Sequence, residues 1–437
     1  MHCRLSKHLL SSPNFSTLQS AYRTFHSTET TLAKITNDIF RTIDSGSPSV
    51  LVALDLSSAF DCVSHEKLLH RLTDDFGVCN VAHAWLTSYL SGRTYFVKVE
   101  SGISDTVFVN STGVPQGSVL GPLLFTTYIS PIQRVIESFG INHVAYADDL
   151  TLYVNLQGDV KSILLSVSNC TNAVSNWFML NDLLLNPSKS EAMFLGTRQQ
   201  VKSISSEQVT VAEAIVQPAS HVKLLGVTFD PTLSFNDHVA DVCKSSFYHV
   251  KALKHIRKCI DFSTANTIAC SFTASRLDYC NCVYAGMSEY NIKRLQRVQN
   301  SVARIVKMKH NRVNALETLK ELHWLPIAYR IDYKISVMTH KILSSGQPLY
   351  LRSLLQPVSS ARSLRSSSNG LTLTVPFCKT ATAARAFSHY APRLWNSLPV
   401  SIRNCVSIES ETDDGSLQKF KRLLKTYLFT LAFDGVV

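Results

Sequence analysis

Apolar residues along this chain switch between a strand-like and a helix-like rhythm, and each switch marks an element. Val50-Leu51-Val52-Ala53-Leu54 is a short unbroken apolar run that ends in Asp55. A run of that length without polar alternation predicts a strand buried on both faces. His143-Val144-Ala145-Tyr146 and Leu150-Thr151-Leu152-Tyr153 flank Asp148 and Asp149, which predicts strand, tight turn, strand. Residues 94–99 and 106–110 alternate like a hairpin around Ser101-Gly102. Helical spacing runs through Leu32, Ile35, Ile39 and Phe40, with Ser27 or Thr28 as the cap. It returns at Leu68, Leu69, Leu72 and Phe76, between a cap at Ser64 and a stop at Gly77. A helix around Trp85 follows, and Pro122 suits the first turn of another through Tyr128. A long helix is expected over 160–185, then a strand over 192–195 and a strand or hairpin over 222–229. From about residue 236 the pattern is helical. The tail holds a strand-like 371–375, a helix-like 383–395 and an amphipathic 420–431.

Composition narrows the class. At 437 residues the chain exceeds a usual domain, so about two to four units are expected. The formal charge of +11 points to contact with a polyanion, most often nucleic acid, although a generic basic enzyme has the same balance. Eleven cysteines without a C-x-x-C pair argue against a disulfide framework and leave a zinc site only weakly supported. Reduced, mostly buried thiols are expected. The first residues lack the apolar run of a signal peptide, and no stretch has the length of a membrane span. The expectation is therefore a reducing, soluble, intracellular setting without a membrane partner.

The candidate chemistry lies in acids. Asp148 and Asp149 repel each other when both are ionised, a penalty that a divalent cation removes. Taken alone, such a pair is more often a solvated hairpin turn. Asp55, distant in the chain, ends a buried strand. If the two strands are neighbours in one sheet, three carboxylates meet at one edge. That cluster suits two Mg²⁺ ions about 3.5–4 Å apart, hard cations that prefer oxygen and support in-line phosphoryl transfer. Gly113-Val114-Pro115-Gln116-Gly117-Ser118-Val119-Leu120-Gly121-Pro122 allows backbone to approach a ligand closely. A helix over 291–310 places Leu295, Val298, Val302 and Ile305 on one stripe. Lys293, Arg294, Arg297, Arg304 and Lys307 lie elsewhere on it, with no acid among them. That fits a phosphate-contacting surface better than a merely solvated face.

Together these stretches resemble the reverse transcriptase of non-LTR (LINE-type, jockey- and chicken-repeat-like) retrotransposons. Leu54-Asp55-Leu56-Ser57-Ser58-Ala59-Phe60-Asp61 looks like motif A, residues 113–122 like motif B and Tyr146-Ala147-Asp148-Asp149 like motif C. Asn186-Pro187-Ser188-Lys189 resembles motif D, and Leu225-Gly226-Val227 the primer grip. Ser20-Ala21-Tyr22-Arg23 with His26-Ser27-Thr28-Glu29 resembles the last fingers motif, and the order is that of the family. The resemblance implies metal ligation by Asp55 and Asp148, with Asp149 beside them and the Leu56 carbonyl completing one shell. It implies two Mg²⁺ ions, with Mn²⁺ as a substitute. Phe60 would lie under the incoming sugar as a steric gate, with Ala59 beside it at the nucleotide; without the motif, Phe60 reads as a core aromatic. Gln116 and Gly117 would touch the nascent pair, Tyr146 the primer end and Arg23 the triphosphate. Lys189 would protonate pyrophosphate as a general acid, or is a plain surface lysine. Leu225, Gly226, Arg294 and Arg297 would meet primer and template.

The implied fold is α+β, a polymerase right hand with a ferredoxin-like palm. The expected division is partial fingers at 1–45, palm with remaining fingers at 46–215, helical thumb at 216–345, a Ser/Arg linker at 346–370 and a small region at 371–437. The implied partners are an RNA template, a DNA primer or target, and dNTPs; the oligomeric state is not legible. Target-primed synthesis places the work in the nucleus, with the cytoplasm as the alternative. An upstream endonuclease and the first fingers motifs are missing, so a shortened copy of a longer reading frame is expected. The rival reading is an inactive fragment that only binds nucleic acid through its basic helices.

Overall fold

The apolar run after Pro48 forms the strand Ser49–Leu54, buried on both faces as its unbroken pattern requires. It is the first of four strands in one sheet. The second is Asn142–Tyr146, the third Asp149–Asn155 and the fourth Glu191–Leu195. Across the sheet they run fourth, first, third, second. The first and third pair antiparallel, with Ser49 opposite Asn155 and Leu54 opposite Leu150. The second and third form the expected hairpin, closing at Tyr146 opposite Asp149. Helices join first to second, and the helix Val160–Leu180 joins third to fourth, which is the strand order of a βαββαβ unit.

This computed structural model describes residues 1–100, 102–108, 111–310, 313–358, 370–405 and 414–433. The sheet belongs to the first of two units, formed by Met1–Thr24, Ser49–Phe194 and Lys202–Ala219. Its helices form where caps and stops permit. Ser64 accepts from the Lys67 amide to start His65–Asp74. Gly77, at φ +66°, ends it: the Gly77 amide donates to the Thr73 carbonyl and the Val78 amide to the Leu72 carbonyl, which satisfies two of the helix's last carbonyls. Leu68, Leu72, Leu124, Phe125, Tyr128 and Phe178 are buried in the core of this unit. Thr94–Tyr95 pairs with Val107–Phe108, and Lys98–Val99 with Gly102–Ile103, as the alternation predicts.

Several expectations need correction. The long helix stops at Leu180, not 185, because Asp182 turns at φ +56°. Leu184–Leu185 then pairs with Leu56–Ser57, so the three leucines that read as helix feed a short ladder. Residues 371–375 make no strand; Leu373 forms only an isolated bridge to Pro357. The basic helix runs Glu289–Val306, and its first turn brings an acid with it: Glu289 pairs with Lys293 at 2.9 Å. All eleven cysteines are free, but only Cys170, Cys280 and Cys282 are buried. The heart of the Ser/Arg linker, 359–369, lies outside the described residues. No described helix is long and apolar enough to cross a membrane.

The second unit comprises Phe25–Pro48, Leu195–Val201 and Ser220–Val437. Its helix Thr28–Asp44 opens on a capping box in which Ser27 and Thr30 exchange side-chain and backbone bonds. Asn37 of this helix accepts from the Ser388 amide, and Asp44 from the Lys379 and Thr380 amides. The segment is thus pinned to the C-terminal helices. Before the helix Asn236–Ile256, the chain turns around the Asp230 carboxylate. That group accepts from the amides of Thr232, Ser234 and Phe235 and from both hydroxyls. Burial opposes its charge, yet these bonds, led by the Ser234 amide, outweigh it and hold the carboxyl below its ordinary range.

An Asp230→Asn variant is expected to lose about 1.5–3 kcal/mol at neutral pH, read by denaturant unfolding. Asp230 has a depressed folded pKa. Its contribution is therefore present above the ordinary carboxylate range and lost as pH falls through the lower folded value. The difference between variant and parent should shrink in acid.

Candidate active site

The antiparallel register decides where the acids lie. Leu54 faces Leu150, so Asp55, one step further, stands opposite Asp149 at the end of the ladder. Asp148 occupies the two-residue turn beside it. The consequence is electrostatic. Surrounding protein thins the water around Asp149, and the negative charges of Asp148 and Asp55 add to that, so its carboxyl is pushed above the ordinary range. Asp149 therefore feels the charge of both other acids proposed from sequence. Among the described residues, no group of three His, Cys, Asp or Glu side chains is close enough to hold a metal ion as it stands. The donor chemistry nonetheless fits a hard dication: oxygen donors, with unrelieved like-charge repulsion at the turn.

The turn itself is strained and held from outside the hairpin. Ala147 sits at φ +56°, where hairpins ordinarily place glycine. Gln19 secures it. The Gln19 Oε1 accepts from the Ala147 amide at 2.9 Å, and its Nε2 donates to the Ala147 carbonyl at 3.1 Å. The backbone of the same segment bridges to Ala145: the Ser20 amide donates to Ala145, and the Ala145 amide to Leu18. Arg23 stiffens this loop by donating to the carbonyls of Ser16, Thr17 and Gln19, with its guanidinium over Phe15. Tyr22 lies close enough to Asp148 for that charge, after burial, to raise the phenol's pKa. Gln19 and Tyr22 are site residues that periodicity does not reveal. Their one signal is the motif stretch that contains Tyr22 and begins one residue after Gln19.

Loops close on both sides of Asp55. The Asn186 amide donates to the Asp55 carbonyl at 2.9 Å, and the Asp55 amide donates to Ser190 Oγ at 3.4 Å. Ser190 Oγ in turn donates to the Asn186 carbonyl. Lys189, exposed, rides on this turn. Leu56 is fixed in the short ladder with Leu185. On the other side Gln116 donates to Asp61 at 3.1 Å, and the Val114 amide to the Phe60 carbonyl. Gly113, at φ +90°, packs so near Asp61 that a Cβ would come within 3.1 Å of its carbonyl oxygen. Gly117, also at positive φ, is open. Ala59 is buried, and Phe60 stacks on Phe125 with centroids 4.2 Å apart. Tyr146 is half-buried at the hairpin end. The first unit thus gathers Arg23, Ala59, Phe60, Gln116, Gly117, Tyr146 and Lys189 into segments hydrogen-bonded to the acid-bearing strands or to each other.

The remaining candidates lie in the second unit. Leu225 and Gly226 form the tip of the hairpin Val222–Leu224 with Val227–Phe229, both at positive φ. Tyr279 donates to the Leu225 carbonyl, and its ring leaves no room for a side chain at Gly226. Arg294 donates to the carbonyl of Asn236 and lies over Tyr290, whereas Arg297 is exposed.

The sequence profile of the reverse transcriptase (RNA-dependent DNA polymerase) family matches residues 1–229. Over 302 residues the chain is 29% identical to the probable RNA-directed DNA polymerase from transposon X-element of Drosophila melanogaster, covering 66% of this chain and 31% of that protein. It is 24% identical over 362 residues to the RNA-directed DNA polymerase from mobile element jockey of the same fly, covering 79% and 37%. The chain spans about a third of the length of these curated relatives. A solved telomerase from Candida tropicalis aligns at 11% identity over 98% of this chain and 55% of that one. Its TM-score is 0.39, a likeness too low to place any element.

Two outcomes follow from this geometry. Gln19→Leu should destabilise the chain by about 2–4 kcal/mol, because both polar groups of Ala147 lose their buried partners; denaturant unfolding measures it. Asp149 keeps its proton to higher pH when folded than when unfolded. Its contribution to stability therefore falls as pH climbs from the ordinary carboxylate range through that raised value. Asp148→Asn should relieve it, giving a higher Tm at pH 7 and a smaller gain at pH 4.5, read by calorimetry.

Proposed function

The chain belongs to the reverse transcriptase (RNA-dependent DNA polymerase) family, and from that membership we propose that it is the RNA-directed DNA polymerase of a non-LTR retrotransposon. In this reading the βαββαβ sheet is a ferredoxin-like palm, the segment around Gln19–Arg23 is the part of the fingers nearest it, and the helices beyond 216 form the thumb. The template is RNA, the primer is DNA, and the added units are dNTPs. Target-primed synthesis sets this work in the nucleus.

The observation that carries the proposal is the register that stands Asp55 opposite Asp149, one residue from Asp148. Asp55, Asp148 and the Leu56 carbonyl would hold two Mg²⁺ ions, with Asp149 adjoining. When bound, those ions supply positive charge to the primer hydroxyl and to the leaving pyrophosphate. The chain's own residues do the placing. Gln19 fixes the turn so that Asp148 presents its carboxylate from one backbone geometry. Phe60, its ring set by Phe125, forms the floor for the sugar and excludes a 2′-hydroxyl. Gln116, held by Asp61, and Gly117, open to close backbone approach, border the nascent pair. Lys189, carried on a turn bonded to the Asp55 backbone, delivers a proton to pyrophosphate. Arg23 contributes chiefly by locking the loop that presents Gln19. The hairpin tip at Leu225-Gly226 and the cations Arg294 and Arg297 serve the primer–template duplex.

Primer extension tests the reading. The parent should extend a DNA primer on an RNA template with dNTPs and Mg²⁺, and Asp148→Ala should reduce the rate at least a thousandfold, about 4 kcal/mol of barrier. Phe60→Ala should admit ribonucleotides. Folded parent without extension, or Asp148→Ala extending at the parent's rate, overturns the proposal.

A further inference from the structure

A cavity of 480 Å³ lies within the second unit, beside the start of the helix Thr28–Asp44 and two helices that pack on each other, Ile327–Ser345 and Asp414–Phe433. That volume suits a small ligand. Three of its lining side chains are lysines: Lys334 and Lys341 from Ile327–Ser345, and Lys421 from Asp414–Phe433. Among the described residues one acid lines it with them, Glu29, and Lys334 already holds that carboxylate at 3.0 Å. Neither Lys341 nor Lys421 is in an ion pair among the described residues. Lys341 is exposed and Lys421 half-buried, so both stay open to a ligand arriving from solvent.

The three charges are near enough to act on one another. Partial desolvation lowers the Lys341 pKa, the ammoniums of Lys421 and Lys334 lower it further, and Glu29 opposes them with a smaller pull. Three ammoniums against one carboxylate leave an excess of positive charge around one enclosed space, so a multiply charged anion is the ligand that relieves it. The donor type narrows the anion. Arginine is favoured where a planar carboxylate is gripped by a fork, whereas lysine acts as a point charge that suits a tetrahedral phosphate. No arginine lines the cavity among the described residues. Lys334 and Lys341 stand two helical turns apart, about 10.5 Å along the axis, a span suited to linked phosphates and not to one. We propose that this cavity binds a run of linked phosphates, held by Lys334, Lys341 and Lys421. A free polyphosphate and the backbone of an RNA strand share that chemistry. The inference does not rest on polymerisation, since none of these residues was assigned to it.

The test uses the full chain in EDTA, which keeps metal-held phosphate away from the acid turn. It is titrated calorimetrically at fixed salt with tripolyphosphate, rU10 and citrate. At least one phosphate ligand should bind, and Lys341→Glu and Lys421→Glu should each weaken it at least tenfold. Lys161→Glu makes the same charge change at an exposed helix residue of the first unit, and should leave that affinity within twofold. Citrate, a multivalent carboxylate, should bind at least tenfold more weakly than the better phosphate ligand. Tripolyphosphate binding with the Lys341 and Lys421 dependence shows that a free polyphosphate suffices, and rU10 binding without tripolyphosphate identifies the strand. Should Lys341→Glu fail to fold, Lys421→Glu is read alone. No phosphate binding, a loss no greater than in Lys161→Glu, or citrate binding as tightly as phosphate, overturns the inference. Primer extension is a separate readout, so failure here leaves the polymerase reading standing and failure there leaves this one.

Discussion

The antiparallel ladder between Ser49–Leu54 and Asp149–Asn155 is the constraint on which the acid end of the sheet depends. Side chains alternate along a strand, so a slip of one residue would move Asp55 to the opposite face from Asp149 and uncouple the acids. Burial prevents the slip. Val50, Leu51, Val52 and Leu54 are almost fully covered, as are Leu150, Leu152 and Tyr153 on the partner. The apolar core thus sets a polar geometry it does not touch. Register is the physical link between hydrophobic patterning and carboxylate chemistry here.

That geometry is not a low-energy arrangement for the apo chain. Asp149 bears the repulsion of Asp148 and Asp55, and Ala147 adopts a left-handed backbone that costs a non-glycine residue about 1 kcal/mol. Both penalties are local, and the backbone one is opposed from outside the hairpin. Gln19 satisfies the backbone of Ala147, and Arg23 orders the loop that carries Gln19. The short segment before Thr24 is therefore a clamp on the turn, in addition to whatever it contributes to substrate. A dication would relieve the remaining repulsion.

The strands and the acids were legible for a simple reason. A short apolar run ending in Asp55 and two runs flanking Asp148 and Asp149 leave few alternatives once each must bury its apolar residues. The cap at Ser64 and the stop at Gly77 were equally plain, and the earlier cap was narrowed to Ser27 or Thr28, because each uses a local backbone preference. What escaped depends on partners far away in sequence. Leu183, Leu184 and Leu185 continue a helical rhythm, and only the pairing with Leu56–Ser57 makes Leu184 and Leu185 strand. Gln19 is a lone polar residue in a polar stretch, and its role exists only because Ala147 lies against it.

Within the first unit, three non-glycine residues with positive φ, Tyr22, Ser58 and Ala147, fall within the stretches that carry the candidate chemistry. Each has hydrogen bonds that hold or adjoin the strained position. The Asp61 and Cys62 amides donate to the Ser58 carbonyl, Gln19 brackets Ala147, and the Ala21 amide just before Tyr22 donates to Gln19 Oε1. One glutamine thus serves two of the three strained positions. Strain of this kind persists only where surrounding bonds over-determine it. The turn at Asp148 and the loop at Tyr22 are consequently one mechanical unit. Loosening Gln19 would free both, although neither Asp148 nor Tyr22 is itself bonded to it by a side chain.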